Sequence, residues 1–338
     1  MILSKRPRRN RKSDTIRAWA EGNRKSDTIR AWAEETTIST KHLIFPLFLT
    51  EGEKKKEIIP SMPDIFRFST DNLLKEIEEC CKLGINAFAL FPHLEESQKD
   101  KFASQSWNEN GLYLQTIRLV KKYFPQICLL TDVAMDPYSS DGHDGLVENG
   151  KILNDETLEI LGKMALAQAQ AGSDIIAPSD MMDGRVAYIR QLLDNQNFTD
   201  VSIMAYTAKY ASSFYAPFRD ALDSAPKFGD KKTYQMNPAN VKEAIIEAEL
   251  DEAEGADFLM VKPALAYLDV IKTLRETSNL PIAAYNVSGE YAMVKAAAAQ
   301  GWLDSQKTMY ECLLSMRRAG ANVILTYFAK EFAQYEQK

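Results

Sequence analysis

Short apolar segments alternate with helical patterns along most of the chain, starting near residue 42. Eight of these segments are continuously apolar, and they lie at His42–Leu49, Ile85–Phe91, Ile127–Val133, Asp174–Pro178, Val201–Thr207, Asp257–Val261, Ile282–Val287 and Asn322–Phe328. Strands that are covered on both faces have this continuous pattern, whereas half-exposed strands alternate apolar with polar residues. The segments therefore predict eight buried parallel strands.

Helical patterns fill the intervals between these strands. Leu73, Ile77 and Cys80, for example, recur at helical spacing after a polar start at Ser69. Four intervals end in a glycine just before the next strand, at Gly84, Gly172, Gly255 and Gly320. Glycine at such a position closes a helix in the left-handed conformation. Eight strand–helix units predict an α/β fold of the (β/α)8 TIM-barrel type. A dinucleotide-binding sheet is less favoured, because no strand is followed by a G-x-G-x-x-G motif.

The composition is that of an ordinary globular chain, with 45% hydrophobic and 26% charged residues. A net charge of −6 argues against nucleic acid as the main partner. No apolar run approaches the roughly 20 residues that span a bilayer, and the N-terminus lacks a secretory signal. The four cysteines form no C-x-x-C pair, which is typical of reduced thiols. We expect a cytoplasmic protein that binds neither membranes nor nucleic acid.

The first 41 residues differ from the rest and predict an extended N-terminal arm. They contain a tandem repeat of 13 residues, Asn10–Gly22 and Asn23–Glu35, whose copies differ only at the last position. A basic run near the start leaves a transit peptide or a nucleic-acid-binding tail as alternatives. The apolar patch in each copy, which includes a tryptophan, fits better an arm that packs on a neighbouring subunit. We therefore divide the chain into an oligomerisation arm, residues 1–41, and a catalytic barrel, residues 42–338.

Two lysines stand at the ends of adjacent predicted strands. Lys209 follows the fifth strand and Lys262 ends the sixth, and barrel active sites lie at these C-terminal ends. A lysine has an ordinary pKa of about 10.4. Burial and a second ammonium group both lower that pKa, and the freed amine attacks ketones to form an imine. The alternative for either lysine is a structural ion pair with a carboxylate such as Asp132.

Two loops beside these strands carry further candidates. The glycine- and aspartate-rich segment Asp136–Asp155 follows the third strand, and its carboxylates either bind a hard cation or are solvated turn residues. The segment Tyr210–Asn240 shows no clear strand or strongly periodic helix, and a long loop of this kind predicts an active-site lid over about residues 210–240. Its basic residues among aromatics suit a carboxylate substrate, and a solvated basic loop is the alternative.

Several long motifs resemble one known family. They are TDVAMDPYSSDGHDGL, APSDMMDGR, AKYASSFYAPFRDALDSAPKFGDKKTYQMNPAN, MVKPALAYLD and NVSGEYAM. The chain resembles the porphobilinogen synthase (delta-aminolevulinic acid dehydratase) family from about Arg6 to its C-terminus. The resemblance implies a TIM barrel with an N-terminal arm, a homo-octamer assembled through the arms, and an early step of tetrapyrrole biosynthesis. In that step two 5-aminolevulinate molecules per subunit condense to porphobilinogen and lose two waters.

The resemblance also implies roles for individual residues. Lys209 would hold the substrate that supplies the acetic-acid side chain (the first substrate), and Lys262 the one that supplies the propionic-acid side chain (the second substrate). In the family, the residues that correspond to Asp132, Asp136, Asp144 and Ser179 lie near the reacting groups. The first substrate's carboxylate would be held by Arg219, Lys231 and Gln235, and the second's by Ser288 and Tyr327. Tyr215 and Phe218 are further expected substrate contacts.

The chain departs from the zinc-dependent members of the family. Where they have three cysteines, this chain has Ala134, Asp136 and Asp144. Zinc prefers thiolate and imidazole ligands, whereas carboxylates suit magnesium. We therefore expect the bacterial type without catalytic zinc and without an organic cofactor, in which the two aspartates orient water or a weakly held cation. Glu247 matches a glutamate that binds an allosteric Mg²⁺ at a subunit interface, and an exposed helix carboxylate is the alternative.

Three other functions remain open at this stage. A class I aldolase-like lyase also uses a barrel lysine, although it requires only one imine. The aspartates of the loop after the third strand would suit metal-assisted hydrolysis. A non-catalytic relative with an extended arm would retain the fold alone.

Overall fold

The computed structural model describes residues 26–337 and contains two compact units, divided between Thr37 and Ile38. In the first unit, the described part forms one short helix, α1 (Asp27–Trp32), whose N-cap Ser26 accepts a hydrogen bond from the Ile29 amide. The first copy of the tandem repeat lies outside the described residues. The unit boundary falls shortly before the predicted end of the arm at residue 41, and the arm's role in oligomerisation stays a prediction.

The second unit is built on a closed barrel of eight parallel strands. Each strand pairs with the next along the chain, and the last pairs with the first. The strands are β1 (Leu43–Leu49), β2 (Ala87–Pro92), β3 (Cys128–Val133), β4 (Ile175–Pro178), β5 (Ser202–Lys209), β6 (Phe258–Lys262), β7 (Ile282–Asn286) and β8 (Val323–Thr326). All eight predicted strands are confirmed, with ends that shift by at most two residues.

Helices surround the barrel and bury its outer face in one continuous core. They are α2 (Thr70–Lys82), α3 (Leu112–Tyr123), α4 (Asn154–Ala171), α5 (Arg185–Asn195), α6 (Ala216–Leu222), α7 (Lys242–Ala253), α8 (Leu268–Thr277), α9 (Ser288–Ala299), α10 (Ser305–Ala319) and α11 (Ala329–Glu336). The predicted helix-closing glycines are confirmed: Gly172 and Gly320, for example, have φ of 108° and 125°. Within residues 26–337, no helix has the length and apolar content needed to cross a membrane.

Three features were not indicated by the sequence pattern. A hairpin of Lys56–Ile58 and Phe66–Phe68 extends the sheet beside β1, and a small hairpin of Val147–Glu148 and Lys151–Ile152 follows β3. The predicted lid contains the short helix α6. With seven residues, this helix is too short to display a clear apolar period, so the sequence reads as an irregular loop.

The pairing of β5 with β6 contains a bulge. Leu259 faces Ala205, whereas Val261 faces Ala208, so β5 has one extra residue between the two pairs. A bulge of this kind changes which side chains point to a given face of the sheet. Beyond the bulge, Lys209 lies directly opposite Lys262. The two predicted lysines therefore leave adjacent strands at the same level.

Candidate active site

A small cavity opens at the C-terminal end of the barrel. It is lined by Asp136, Lys209, Tyr215, Phe218, Arg219, Lys231, Gln235 and Lys262, all of which are predicted site residues. Lys209 and Lys262 are each only 5% exposed. The strands bring the two lysines together, and the lid segment (Tyr210–Asn240) supplies most of the other lining residues.

Lys209 lies in a cluster of carboxylates. Its Nζ is 3.0 Å from Asp144 Oδ2 and also donates a hydrogen bond to the Ser179 carbonyl. Asp144 is fully buried. Burial alone would raise the pKa of Asp144, but the ammonium groups of Lys209 and Lys231 together hold it below its usual range. Asp144 is therefore a buried anion that two lysines share.

Lys231 places a lid ammonium group between two aspartates. Its Nζ is 2.7 Å from Asp144 Oδ1 and 3.2 Å from Asp136 Oδ2. Burial opposes its charge, but the two carboxylates outweigh burial and raise the pKa of Lys231. This ammonium occupies the place where we expected water or a weakly held cation. Lys231 was expected to grip a substrate carboxylate, and here it is engaged in ion pairs.

Lys262 lies among aromatic rings. Its Nζ is 4.6 to 5.3 Å from the ring centroids of Tyr285, Phe218, Tyr206 and Tyr215. Burial, and secondly the ammonium group of Lys209, lower the pKa of Lys262 to about 7. The free amine of Lys262 is therefore more accessible at neutral pH than that of an ordinary lysine, which is almost entirely protonated.

Asp132 is the titratable neighbour of Lys262. Burial raises the pKa of Asp132 to about 7, although the Lys262 ammonium and a hydrogen bond from the Ser179 side chain oppose the rise. A carboxyl group and an amine with similar pKa values can exchange a proton at little cost. Asp132 and Lys262 influence each other's charge, but Lys262 forms no ion pair within residues 26–337, and a catalytic role of Asp132 stays a prediction.

The N-terminal part of the lid helix is tied to the strand end that carries Ser288. Helix α6 contains Phe218 and Arg219. The Ser288 hydroxyl accepts a hydrogen bond of 2.9 Å from the Phe218 amide. Gly289 allows the close approach, because a Cβ atom there would lie 2.5 Å from the Phe214 carbonyl oxygen. The segment that we predict to be a lid thus packs against the end of β7.

The C-terminal part of the lid helix is held by two cations. Arg67, on the hairpin beside β1, donates hydrogen bonds of 2.6 Å to the carbonyls of Asp220 and Ala221. Lys99 donates one of 2.7 Å to the Asp223 carbonyl. Cations at a helix C-terminus stabilise its unpaired carbonyls. These contacts were not predicted, because they join segments that are more than a hundred residues apart in sequence.

Two predicted substrate contacts have hydrogen-bond partners within the protein. The Tyr327 hydroxyl is 3.0 Å from that of Tyr285, and Tyr327 lines a separate cavity beside the barrel rather than the small cavity at its mouth. The Tyr215 hydroxyl donates to the carbonyls of Tyr210 and Lys262. The Tyr215 ring, by contrast, faces the cavity and the Lys262 amine.

Glu247 lies away from the barrel mouth, on helix α7. It is half-buried and lines a wider cavity with Asp183 and Glu243. Burial, against the opposing charge of Arg185, raises the pKa of Glu247 to about 7. In the described part of the chain, no three Asp, Glu, His or Cys residues are grouped as ligands for a metal ion.

Comparison with known proteins identifies the family. The family model described as delta-aminolevulinic acid dehydratase matches residues 4–335. The chain belongs to the delta-aminolevulinic acid dehydratase family. The chloroplastic delta-aminolevulinic acid dehydratase of Oryza sativa subsp. japonica is 55% identical over 98% of this chain and 75% of its own length. The delta-aminolevulinic acid dehydratase of Chlamydia pneumoniae is 50% identical over 97% of this chain and 95% of its own length.

A solved structure of the delta-aminolevulinic acid dehydratase family supports the same assignment. The enzyme of Toxoplasma gondii ME49, in complex with the reaction product porphobilinogen, matches with a TM-score of 0.90 and 50% identity. The match covers 99% of this chain and 92% of that chain. The predicted family, the lyase class and the TIM barrel are therefore confirmed. The family assignment also favours the dehydratase activity over that of a class I aldolase, which would need only one imine-forming lysine.

Proposed function

We propose that the chain condenses two 5-aminolevulinate molecules to porphobilinogen, with loss of two waters, through imines on Lys209 and Lys262. The observation that carries this proposal is the register pairing of the two buried lysines in one cavity. A reaction that joins two ketone substrates can use two imine-forming amines, whereas a class I aldolase needs one. The two imines would hold both substrates within bonding distance of each other.

Lys262 and Lys209 would enter the reaction differently. The free amine of Lys262 attacks a ketone carbon, and Asp132 can supply the proton with which the carbonyl oxygen leaves as water. At Lys209, the Asp144 carboxylate at 3.0 Å would stabilise the protonated imine, which is the better electrophile. Loss of a proton beside one imine gives an enamine, whose carbon attacks the other imine carbon to form the carbon–carbon bond. A substrate amine attacks the first imine carbon to close the ring, and each lysine leaves as its amine when its own C–N bond breaks. The closed lid keeps water away from both imines.

The two substrate carboxylates would be recognised by different sets of residues, of which the first set lines the cavity. Arg219 lines the cavity and forms no ion pair with any residue in the described range, so its guanidinium is available for the first substrate. Lys231 and Gln235 lie beside it on the same lid. For the second substrate, Ser288 and Tyr327 supply hydroxyl groups. Each of these assignments follows the family resemblance.

The metal is a further part of the proposal. We infer an allosteric Mg²⁺ at Glu247, no catalytic zinc and no organic cofactor. Mg²⁺ keeps several water ligands and needs only one or two carboxylates, which suits a carboxylate with no ion-pair partner among residues 26–337. Zinc is disfavoured because Asp136 and Asp144 already form ion pairs with the Lys231 ammonium. A homo-octamer formed through the arms and a cytoplasmic location complete the proposal.

Trapping of the imines tests the catalytic part directly. The protein would be incubated with 5-aminolevulinate and sodium borohydride, and the modified lysines would be identified by peptide mass spectrometry. We expect modification of both Lys209 and Lys262, and porphobilinogen formation that is lost in Lys209→Ala and in Lys262→Ala. Lys232→Ala, which changes an exposed lysine of the same lid, is the matched control. Product formation without an imine at either lysine would contradict the proposal.

A further inference from the structure

A buried carboxylate outside the cavity connects several strand ends. Glu290 lies in the first turn of helix α9 and is 1% exposed. Its Oε1 accepts a hydrogen bond of 2.8 Å from the Leu265 amide. Its Oε2 accepts bonds of 2.9 Å from Asn286 Nδ2 and 3.1 Å from the Val287 amide. Both carboxylate oxygens are therefore engaged by neutral N–H donors.

Two of these bonds fix the loops that carry predicted site residues. Leu265 is three positions after Lys262, and Val287 directly precedes Ser288. The loop after β6 and the loop after β7 are thus held together by one side chain. A movement of either loop would shift the amine of Lys262 relative to the hydroxyl of Ser288.

The third bond extends the network to the last barrel strand. Asn286, which donates to Glu290, accepts a hydrogen bond of 2.9 Å from Thr326 Oγ1. Thr326 directly precedes Tyr327. The network therefore reaches the strand ends that hold Lys262, Ser288 and Tyr327, the three residues assigned to the second substrate. Lys209 belongs to the separate aspartate network described above.

The chemistry of the position requires a carboxylate. Within residues 26–337, no lysine or arginine forms an ion pair with Glu290. Burial raises the pKa of Glu290 to about 7, and the hydrogen bonds from Asn286 and the backbone amides oppose that rise, so the carboxylate depends on these N–H donors. A glutamine has one acceptor oxygen and one NH₂ group. Because each of these three neighbours donates to Glu290, the NH₂ group of a glutamine would face another donor, and at least one bond would be lost.

We propose that Glu290 is the positioning residue of the second-substrate side of the site, where it sets Lys262, Ser288 and Tyr327 against one substrate. The inference rests on the proposed function, because it uses the assignment of these residues to one of two substrates. It goes further because it assigns the two lysines to different hydrogen-bond networks. One network positions Lys262, and another positions Lys209.

Imine trapping in Glu290→Gln tests this separation. At a substrate concentration below saturation, we expect trapping at Lys262 to fall about tenfold, because a charge-assisted buried hydrogen bond is lost. Trapping at Lys209 should stay near the level of the unsubstituted protein, and it also reports that the barrel is folded. Raising the substrate concentration should restore much of the product formation. Asp174→Asn, a carboxylate-to-amide change at an ion pair with Lys121 at the N-terminal end of β4, is the matched control.

A second variant covers the case in which Glu290→Gln does not fold. Thr326→Val removes the hydroxyl at the far end of the network and keeps the side-chain volume. It should lower trapping at Lys262 more than at Lys209, by a smaller factor than Glu290→Gln. Equal loss at both lysines, or no loss at Lys262, would overturn the inference. Absence of both imines in the unsubstituted protein would instead refute the proposed function.

Discussion

Lys209 and Lys262 are register partners on neighbouring barrel strands, yet their amino groups lie in opposite surroundings. Lys209 is 3.0 Å from a buried carboxylate, whereas Lys262 is surrounded by four aromatic rings and forms no ion pair with any residue of the described range. One amine has a counter-ion and the other has none. This asymmetry suits a reaction in which two identical substrates must become different halves of one product.

The proximity of the lysines predicts a change in pH dependence. The ammonium group of Lys209 lowers the pKa of Lys262, after the larger effect of burial. Lys209→Met removes that charge and leaves Asp144 paired with Lys231 alone, so both effects raise the pKa of Lys262. The midpoint for imine trapping at Lys262 should therefore move to higher pH, by about one unit. Trapping would be measured against pH in both proteins, and a midpoint that stays or falls would contradict the prediction.

The shared carboxylate of Asp144 predicts a large effect on stability. Asp144→Asn leaves the buried ammonium groups of Lys209 and Lys231 without their common partner. We expect the free energy of unfolding in urea to fall by about 3 to 5 kcal/mol. Asp136→Asn is the comparison, since Lys231 keeps Asp144 in that variant, and its effect should be smaller. The prediction is wrong if the two variants are equally destabilised.

The contact of Arg67 with the lid helix predicts a link between a distant hairpin and substrate binding. Arg67→Ala removes two hydrogen bonds to the carbonyls at the end of α6, the helix that carries Arg219. Amide hydrogen exchange in α6 should become about tenfold faster, and KM should rise. Arg67→Lys keeps the charge but loses the bidentate hydrogen bonding, so an exchange rate and a KM between those of the unsubstituted protein and Arg67→Ala are expected. Unchanged exchange in Arg67→Ala would show that other contacts hold the lid.

The carboxylate of Glu247 predicts the response to magnesium. In Glu247→Gln, Mg²⁺ binding measured by titration calorimetry should weaken strongly, and the activity with Mg²⁺ should fall to that of the chelated unsubstituted protein. Added Zn²⁺ should not replace Mg²⁺ in the unsubstituted protein. Glu249→Gln, at an exposed position of the same helix, is the control. Magnesium binding that is equal in the two variants would place the ion elsewhere.

The strands and the two lysines were predictable for a physical reason. Strands buried on both faces require continuous apolar runs, and the glycines before them mark where each helix must end. The barrel topology then places the residues after each run at one mouth, so Lys209 and Lys262 follow from their positions alone. The assignment of Arg219 to the first substrate and of Ser288 to the second, by contrast, came only from the family motifs.

Other parts of the site depend on geometry that no local pattern encodes. The aromatic surroundings of Lys262 include Tyr206 and Tyr285, which in sequence are ordinary core residues of apolar strands. The bulge in β5 lies between Ala205 and Ala208, next to Tyr206, and no local sequence signal marks it. Glu290 likewise resembles an ordinary acidic residue in the first turn of a helix. Its second set of partners, across the loop after β6, appears only in three dimensions.

The closure of the barrel by β1 and β8 has a consequence for how the chain matures. Leu43 pairs with Ile324 and Ile44 with Leu325, so the earliest barrel strand finds its second neighbour only when the latest has been made. A nascent chain that already contains both lysines is still an open sheet. The part of the β1 edge that the hairpin does not cover and the edge of the newest strand are unpaired, and such edges associate with other chains. The active site should therefore form only at the end of synthesis, in one step, when the C-terminal segment leaves the ribosome and β8 closes the barrel.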